Sequence, residues 1–307
     1  MTDTLNLAQL KDSFERDGFV KLEQVLKAEE LQALQQETKG LIDRGWEGQV
    51  PANHYFHKPD PVTGEEVFNR VQFLFPKATL QPNPYLTLLG HPVILQVVEK
   101  LLEGYEFVLS GEALVFKMPR NGAEVAVHTD GAKPGQNTPP GHTYFNVDVY
   151  LDDATLENGC LLAAPGSHKL DYTMQQVRDI GFDFPGLVPV PMKAGDVLFH
   201  NTRLVHGSHR SESSSIRRTI YYEFCTTRFV EEHFKRLGFN GIAGRYLDFD
   251  AWTEDRARLI QYGIDLRKTC SYAADEPDYP YRAPQGSDLR YDPQRIELAP
   301  RFGGSHR

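Results

Sequence analysis

The sequence predicts a mainly β fold of sandwich or barrel type with flanking helices, and three observations carry that expectation. From about Tyr105 the chain breaks into short runs rich in β-branched and aromatic residues, namely Phe107–Leu109, Ala113–Phe116, Tyr144–Leu151, Val188–Val190, Val197–His200 and Thr219–Phe224. Such residues fit a pleated, half-buried surface. Gly, Pro, Asn and Asp separate the runs, which is turn chemistry between strands rather than the intervening helices of βαβ units. A Gly-rich dinucleotide or phosphate fingerprint is also absent.

The flanking elements follow in chain order. Leu7, Leu10 and Phe14 recur at helical spacing before Gly18, and Phe19, Val20 and Leu22 continue as an extended segment. Leu31, Leu34, Leu41 and Ile42 predict a support helix, and Val93, Ile94, Val97, Val98, Leu101 and Leu102 predict another after Pro92, which suits a first helical turn. Gly131–Gly141 holds three prolines and three glycines, so it reads as a surface loop after a strand ending near Val127, placed to act as a lid. Past Arg228, the spacing of Val230, Phe234 and Leu237 returns to helix, and the Pro-, Tyr- and Arg-rich tail from Glu276 either packs over a barrel mouth or is partly disordered. With no internal repeat, one domain over residues 1–307 is expected: 1–104 as helical support with the first strands, 105–228 as the β core, and 229–307 as a helical or irregular extension.

Composition bounds the partners. A chain of 307 residues with 40% hydrophobic content can bury one large core. No run approaches the roughly eighteen apolar residues of a membrane span, and Met1-Thr2-Asp3-Thr4 lacks the parts of a secretory signal, so a soluble, cytoplasmic protein is expected. Cys160, Cys225 and Cys270 are odd in number and outside any CxxC spacing, which points away from a disulfide framework and from a thiolate metal site. The net charge of −9 opposes a non-specific grip on nucleic acid or anionic membrane while leaving room for a local basic pocket. The expected partner is a small-molecule substrate; oligomeric state has no sequence signal.

The chemistry concentrates in a few residues. His128 and Asp130 stand two apart at the end of the apolar run Val125-Ala126-Val127, and side chains at i and i+2 of a strand leave the same face. His206, just after Leu204-Val205 and before Gly207, supplies a second imidazole. Two His and one carboxylate on one face leave open positions on iron(II) for oxygen, although an HxD pair alone equally spells an Asp orienting a surface His. Arg217, in Ser215-Ile216-Arg217-Arg218-Thr219, changes that balance, because 2-oxoglutarate needs a fixed bidentate cation for its far carboxylate. Alternation sends one of Arg217 and Arg218 inward. Arg217 is the expected partner, with Thr219 sharing its face and adding a hydroxyl.

Asn146 lies on an apolar strand, where its amide either bonds the co-substrate or satisfies neighbouring backbone. Lys117 and Met118 either line the pocket or belong to core and solvent. Asn158, Gly159, Pro165, Gly166, Ser167 and Asp196 read as turn residues. His168 and His200 read as structural, since further histidine ligands would crowd the positions oxygen needs.

These residues resemble the phytanoyl-CoA dioxygenase family of iron(II)/2-oxoglutarate oxygenases. The resemblance rests on Asp17-Gly18-Phe19-Val20, His128-Thr129-Asp130, Glu157-Asn158-Gly159-Cys160-Leu161, Pro165-Gly166-Ser167-His168-Lys169, Ala194-Gly195-Asp196-Val197-Leu198-Phe199-His200, and His206-Gly207-Ser208 followed by Arg217, in family order over roughly residues 10 to 228. It implies a double-stranded β-helix, the cupin-like jelly roll, over 105–228. It also implies iron(II) held by His128, Asp130 and His206, 2-oxoglutarate held by Arg217, and O2 as oxidant. The implied reaction is hydroxylation of an aliphatic C–H with release of succinate and CO2. Related halogenases carry a small residue where Asp130 stands, so hydroxylation, desaturation or ring formation is favoured over halogenation. The family's substrates range from acyl-CoA thioesters to amino acids and secondary metabolites, so the substrate itself is not implied. Two rival readings are a cupin-like metal enzyme that uses no ketoacid and a ligand-binding barrel without turnover; Arg217 weighs against the first and the complete triad against the second.

Overall fold

A computed structural model describes residues 5–47, 55–60, 63–72, 74, 83–131, 144–237 and 249–290 of the chain. The apolar spacing of Leu7, Leu10 and Phe14 forms α1, Leu7–Asp17, capped by Asn6 accepting from the Gln9 N–H. Gly18 ends this helix at φ 83°, a left-handed conformation open to glycine, and a Cβ there would lie 2.4 Å from His168 Nδ1. The chain passes straight into β1, Phe19–Leu22, and then into α2, Ala28–Trp46, which buries Leu34, Leu41 and Ile42.

The hairpin β2, Tyr55–Pro59, and β3, Glu66–Gln72, follows. Two helices come next: α3, Pro84–Leu89, and α4, Pro92–Leu101, each with proline in its first turn and a capping side chain, Asn83 or His91. The β-rich stretch contains β4, Phe107–Lys117, β5, Val125–His128, β6, Tyr144–Tyr150, and β7, Leu161–Ala163. After α5, Met174–Ile180, come β8, Val188–Val190, β9, Val197–Asn201, β10, His206–Ser208, and β11, Arg217–Thr226. The chain closes with α6, Thr227–Leu237, and α7, Phe249–Arg267.

The strands form a seven-stranded sheet in the order β1-β9-β6-β11-β4-β3-β2 and a four-stranded sheet in the order β5-β10-β7-β8. The pairings with a described register are antiparallel: β1 with β9, β2 with β3, β3 with β4, β10 with β5 and β7, and β7 with β8. Mainly antiparallel β structure with helices is therefore the observed class.

Two compact units divide the chain. One takes in residues 1–72, 113–137 and 146–221. Its core includes Tyr150, Cys160, Leu161, Val190, Leu198 and Leu204, and α5 places Val177 against Val127, Ala164, Phe184 and Val205. The other takes in residues 73–112, 138–145 and 222–307, around Val108, Cys225, Val230, Trp252 and Ala257. Within it, α7 carries Arg256, whose guanidinium meets Glu112 and the Leu109 carbonyl, each at 2.6 Å. Arg267 on the same helix makes a two-pronged contact with Glu276 at 2.6 and 2.9 Å.

The structure differs from expectation in identifiable places. Phe107–Leu109 and Ala113–Phe116 are one strand, β4, because the polar residues between them are satisfied in place: Ser110 Oγ donates to the Glu223 carbonyl at 3.0 Å, and Glu112 accepts from Arg256. The helix α7 has no apolar stripe to announce it, since its buried residues include Asp255, Arg256, Arg258 and Arg267 beside Trp252, Leu259 and Ile260. The expected lid beyond Gly131, residues 132–143, and the tail from 291 lie outside the described residues. Cys160, Cys225 and Cys270 are free thiols, and no described helix is long and apolar enough to cross a membrane.

Candidate metal centre

The short strand β5 ends at His128 and pairs antiparallel with β10, setting His128 directly opposite His206. Residues so paired have neighbouring side chains, and the two imidazole centroids are 4.4 Å apart. Gly207 permits this approach: a Cβ on it would come 2.9 Å from the Val125 carbonyl oxygen and 3.1 Å from Val127 Cα. Asp130 follows two residues after His128, past the end of β5, and its carboxylate still comes to the same point.

Both imidazoles are oriented the same way. His128 Nδ1 lies 2.8 Å from the Ala126 carbonyl and His206 Nδ1 lies 2.9 Å from the Leu204 carbonyl. A carbonyl only accepts, so each Nδ1 carries the hydrogen and each Nε2 presents a lone pair. His128 Nε2 is 3.3 Å from Asp130 Oδ1, and His206 Nε2 is 3.6 Å from Asp130 Oδ2. Two ligand bonds of about 2.1 Å at right angles separate their donor atoms by about 3 Å. One ligand atom from each residue falls within 4.8 Å of the others, so the three fit a single cation. Two imidazoles and a carboxylate suit iron(II).

Burial, helped by His128 and His200 against the opposing Asp130, pushes His206 down to about 3. Burial pushes the Asp130 carboxyl up, but His206, His128 and His200 outweigh it and hold the group well below the usual carboxylate range. Asp130 is thus the anion of the set.

On β11, Arg217 and Arg218 part company. Arg218 is engaged on the far side, with Nε and Nη2 each 2.8 Å from Asp152 and Nη1 2.9 Å from the Gln35 carbonyl. Arg217 is buried, donates one Nη1–H to the Gly159 carbonyl, and keeps its Nε–H without a protein partner. The hydroxyl of Thr219, two residues on, is buried and unpartnered as well, and so is that of Ser208, two residues after His206 on β10. Orphaned donors of this kind cost about 1–3 kcal/mol each unless something fills them. Each can donate to an acceptor-only group such as a carboxylate.

Lys117, also expected either in the pocket or elsewhere, is buried and donates to the Ala123 carbonyl. Its stem runs under Gly159, where a Cβ would sit 3.0 Å from Lys117 Cε and 2.4 Å from the His209 carbonyl oxygen. Burial and then Arg217 lower its amine to about 6, against Glu124 and Asp60.

Asn146 donates its amide N–H to Asp130 Oδ2 at 2.7 Å, a side-chain partner rather than neighbouring backbone. His200, read from sequence as structural, stands at the site without belonging to the ligand set: its Nε2 is 3.1 Å from Asp130 Oδ2 and its Nδ1 is 3.0 Å from Asp148 Oδ2. Burial lowers the His200 ring, but Asp148 and Asp130 outweigh that and raise it to about 10. Asp148 was missed in the sequence. The available signal was its place two residues after Asn146, a second polar side chain on the same face of an apolar strand. His168 is structural, with Nε2 3.3 Å from the Glu15 carbonyl.

Antiparallel sheets that bring two Nε2 lone pairs and a carboxylate around one point, with a buried guanidinium on β11 of the large sheet, suit a mononuclear metal-dependent enzyme. The family description "Phytanoyl-CoA dioxygenase (PhyH)" matches residues 14–219, and the chain belongs to the phytanoyl-CoA dioxygenase family. That family is one of iron(II)/2-oxoglutarate-dependent oxygenases, whose cofactor set is iron(II), 2-oxoglutarate and O2, and the chain is an enzyme of this class. The phytanoyl-CoA dioxygenase domain-containing protein 1 homolog of Caenorhabditis briggsae is 26% identical over 259 residues, covering 69% of this chain and 88% of that protein. The crystal structure of AviO1 from Streptomyces viridochromogenes Tue57 is 35% identical with a TM-score of 0.59, covering 73% of this chain and 96% of that one. EctD from S. alaskensis with 2-oxoglutarate and 5-hydroxyectoine is 22% identical with a TM-score of 0.58 over 74% of this chain and 79% of that one, a likeness of fold.

Proposed function

We propose that the chain hydroxylates an aliphatic C–H of a small-molecule metabolite, on a double-stranded β-helix core within residues 105–228. His128, Asp130 and His206 hold the iron, and Arg217 grips the far carboxylate of 2-oxoglutarate together with Thr219 and Ser208. The observation that carries this reading is the pairing of two oriented Nε2 lone pairs and Asp130 with the unpartnered donors of Arg217, Thr219 and Ser208. When bound, iron(II) with 2-oxoglutarate supplies the oxidising chemistry, releasing succinate and CO2.

The chain's own residues do the rest. The carbonyls of Ala126 and Leu204 fix the two ring tautomers. Arg217, steadied by the Gly159 carbonyl, offers its remaining N–H groups in the planar fork that matches a carboxylate, and so sets the direction in which the ketoacid lies. Asn146 contributes through Asp130, to which its amide is bonded. Burial of Arg217, Thr219 and Ser208 keeps water from competing for the carboxylate. Asp130 occupies the position a halogenase leaves open, which favours hydroxylation.

The test is turnover of 2-oxoglutarate to succinate by purified protein with Fe(II) and ascorbate, with and without candidate metabolites. Substrate-stimulated succinate, abolished in Asp130→Ala, is the expected result. Metal-dependent turnover of a metabolite without consumption of 2-oxoglutarate would instead establish a ketoacid-independent metal enzyme.

A further inference from the structure

Asp130 is gripped from behind. Its Oδ2 accepts from the Asn146 amide at 2.7 Å and faces His200 Nε2 at 3.1 Å, while the other nitrogen of that ring meets Asp148 Oδ2 at 3.0 Å. The three supporting side chains are buried, with His200 1% and Asp148 0% exposed. Asn146 and Asp148 come from one face of β6 and His200 from the adjacent strand β9, whereas Asp130 follows β5 of the other sheet. The network therefore ties the end of β5 to the large sheet and leaves Asp130 Oδ1 as the oxygen beside His128 Nε2.

We propose that Asp148, His200 and Asn146 are positioning residues that lock the Asp130 carboxylate in one rotamer, with Oδ1 directed at the centre shared by His128 and His206. The inference rests on the metal reading given above. A carboxylate two residues beyond a strand's end has two torsions to turn about, and each swing exchanges the oxygen offered to a cation. Two donors on Oδ2 remove that freedom, and Asp148 removes the freedom of one donor to rotate away.

A stabilising role alone does not account for the arrangement. Asp148 Oδ1 and Asn146 Oδ1 are buried without a partner, so the network carries unmet acceptors next to a buried carboxylate. Burying such groups costs free energy that apolar side chains of similar volume do not. Holding a ligand is a use that offsets this, and outer partners of metal ligands commonly govern affinity by about 10–100-fold.

The experiment compares wild type, His200→Phe, Asp148→Ala and Asp148→Asn by Co(II) titration without co-substrate, by the visible spectrum of the bound Co(II), and by thermal melting of the metal-free proteins. His200→Phe and Asp148→Ala are expected to weaken Co(II) binding about 10–100-fold and to alter its spectrum. Asp148→Asn, which keeps an acceptor for the His200 ring, is expected to restore most of the affinity. Metal-free melting temperatures should not fall in parallel. Unchanged Co(II) affinity and spectrum in His200→Phe and Asp148→Ala overturn the inference while leaving the ligand set intact. Should His200→Phe not fold, Asn146→Ala with the same readouts decides, and wild-type affinity and spectrum there overturn the inference. A wild-type protein that binds no Co(II), or binds it equally after His206→Ala, overturns the metal reading itself.

Discussion

Replacing Arg217 by Met separates co-substrate binding from fold stability, because the two respond to different parts of the same side chain. In the protein without co-substrate, the substitution removes one bond from Nη1 to the Gly159 carbonyl and also removes a buried Nε–H that has no partner. A hydrogen bond from a charged donor contributes about 1.5–3 kcal/mol, and an orphaned buried donor costs about 1–3 kcal/mol, so the two changes nearly cancel. Melting temperature should therefore move by no more than a few degrees. With 2-oxoglutarate present, the loss is that of a buried charge pair, about 2–5 kcal/mol for removing one partner. At about 1.4 kcal/mol per tenfold, that raises Kd for 2-oxoglutarate by roughly 30-fold to a few thousandfold. Calorimetric titration of the anaerobic Fe(II) protein measures Kd, and differential scanning calorimetry measures stability. Arg218→Ala is the control: its guanidinium faces Asp152 and Gln35, so it should lose stability and keep its 2-oxoglutarate affinity. The reasoning is refuted if Arg217→Met binds 2-oxoglutarate within about threefold of wild type, a shift of less than 1 kcal/mol.

Three further outcomes are expected. Gly207→Ala puts a Cβ 2.9 Å from the Val125 carbonyl oxygen, so β5 must shift from β10; stability should fall by about 1–3 kcal/mol in urea melts and Co(II) binding should weaken with it. Gly18→Ala sets a Cβ 2.4 Å from His168 Nδ1 at positive φ; a double-mutant cycle with His168→Ala should recover the clash but leave the backbone strain, about 1 kcal/mol, in place. Lys117, lowered from 10.5 to about 6, binds fewer protons folded than unfolded between those values, so its penalty is greatest below pH 6 and fades as pH rises toward 10.5. The stability of Lys117→Met relative to wild type should accordingly be greater at pH 7 than at pH 10 in urea melts, and an unchanged difference would contradict the assignment.

Much of the site was readable because its logic is local. The two-residue spacing of His128 and Asp130 is read by a strand rule, and the two meet although β5 ends at His128; the same rule separates Arg217 from Arg218 within β11. The glycine after His206 is required by a close backbone approach that the register of β5 and β10 explains. What escaped was what pairing across the sheet creates. His200 and Asp148 are 52 residues apart, and only the adjacency of β6 and β9 brings them together. The strands β7 and β10, of three residues each, are too short to show a period. The helix α7 escaped for a different reason: Asp255, Arg256 and Arg258 interrupt any apolar stripe, and partners that include Glu112, Glu254, the Leu109 and Asp288 carbonyls and the Arg258–Asp255 pair make their burial tolerable.

The central claim is that His128, Asp130 and His206 hold one cation to which 2-oxoglutarate binds. The direct measurement is an anaerobic titration of the metal-free protein with Fe(II) in the presence of 2-oxoglutarate, following the metal-to-ligand charge-transfer absorption of the chelate. A band that saturates at one equivalent of iron, and vanishes in each of His128→Ala, Asp130→Ala and His206→Ala, is the expected result. No band in the wild-type protein, or one that survives loss of any of the three side chains, contradicts it.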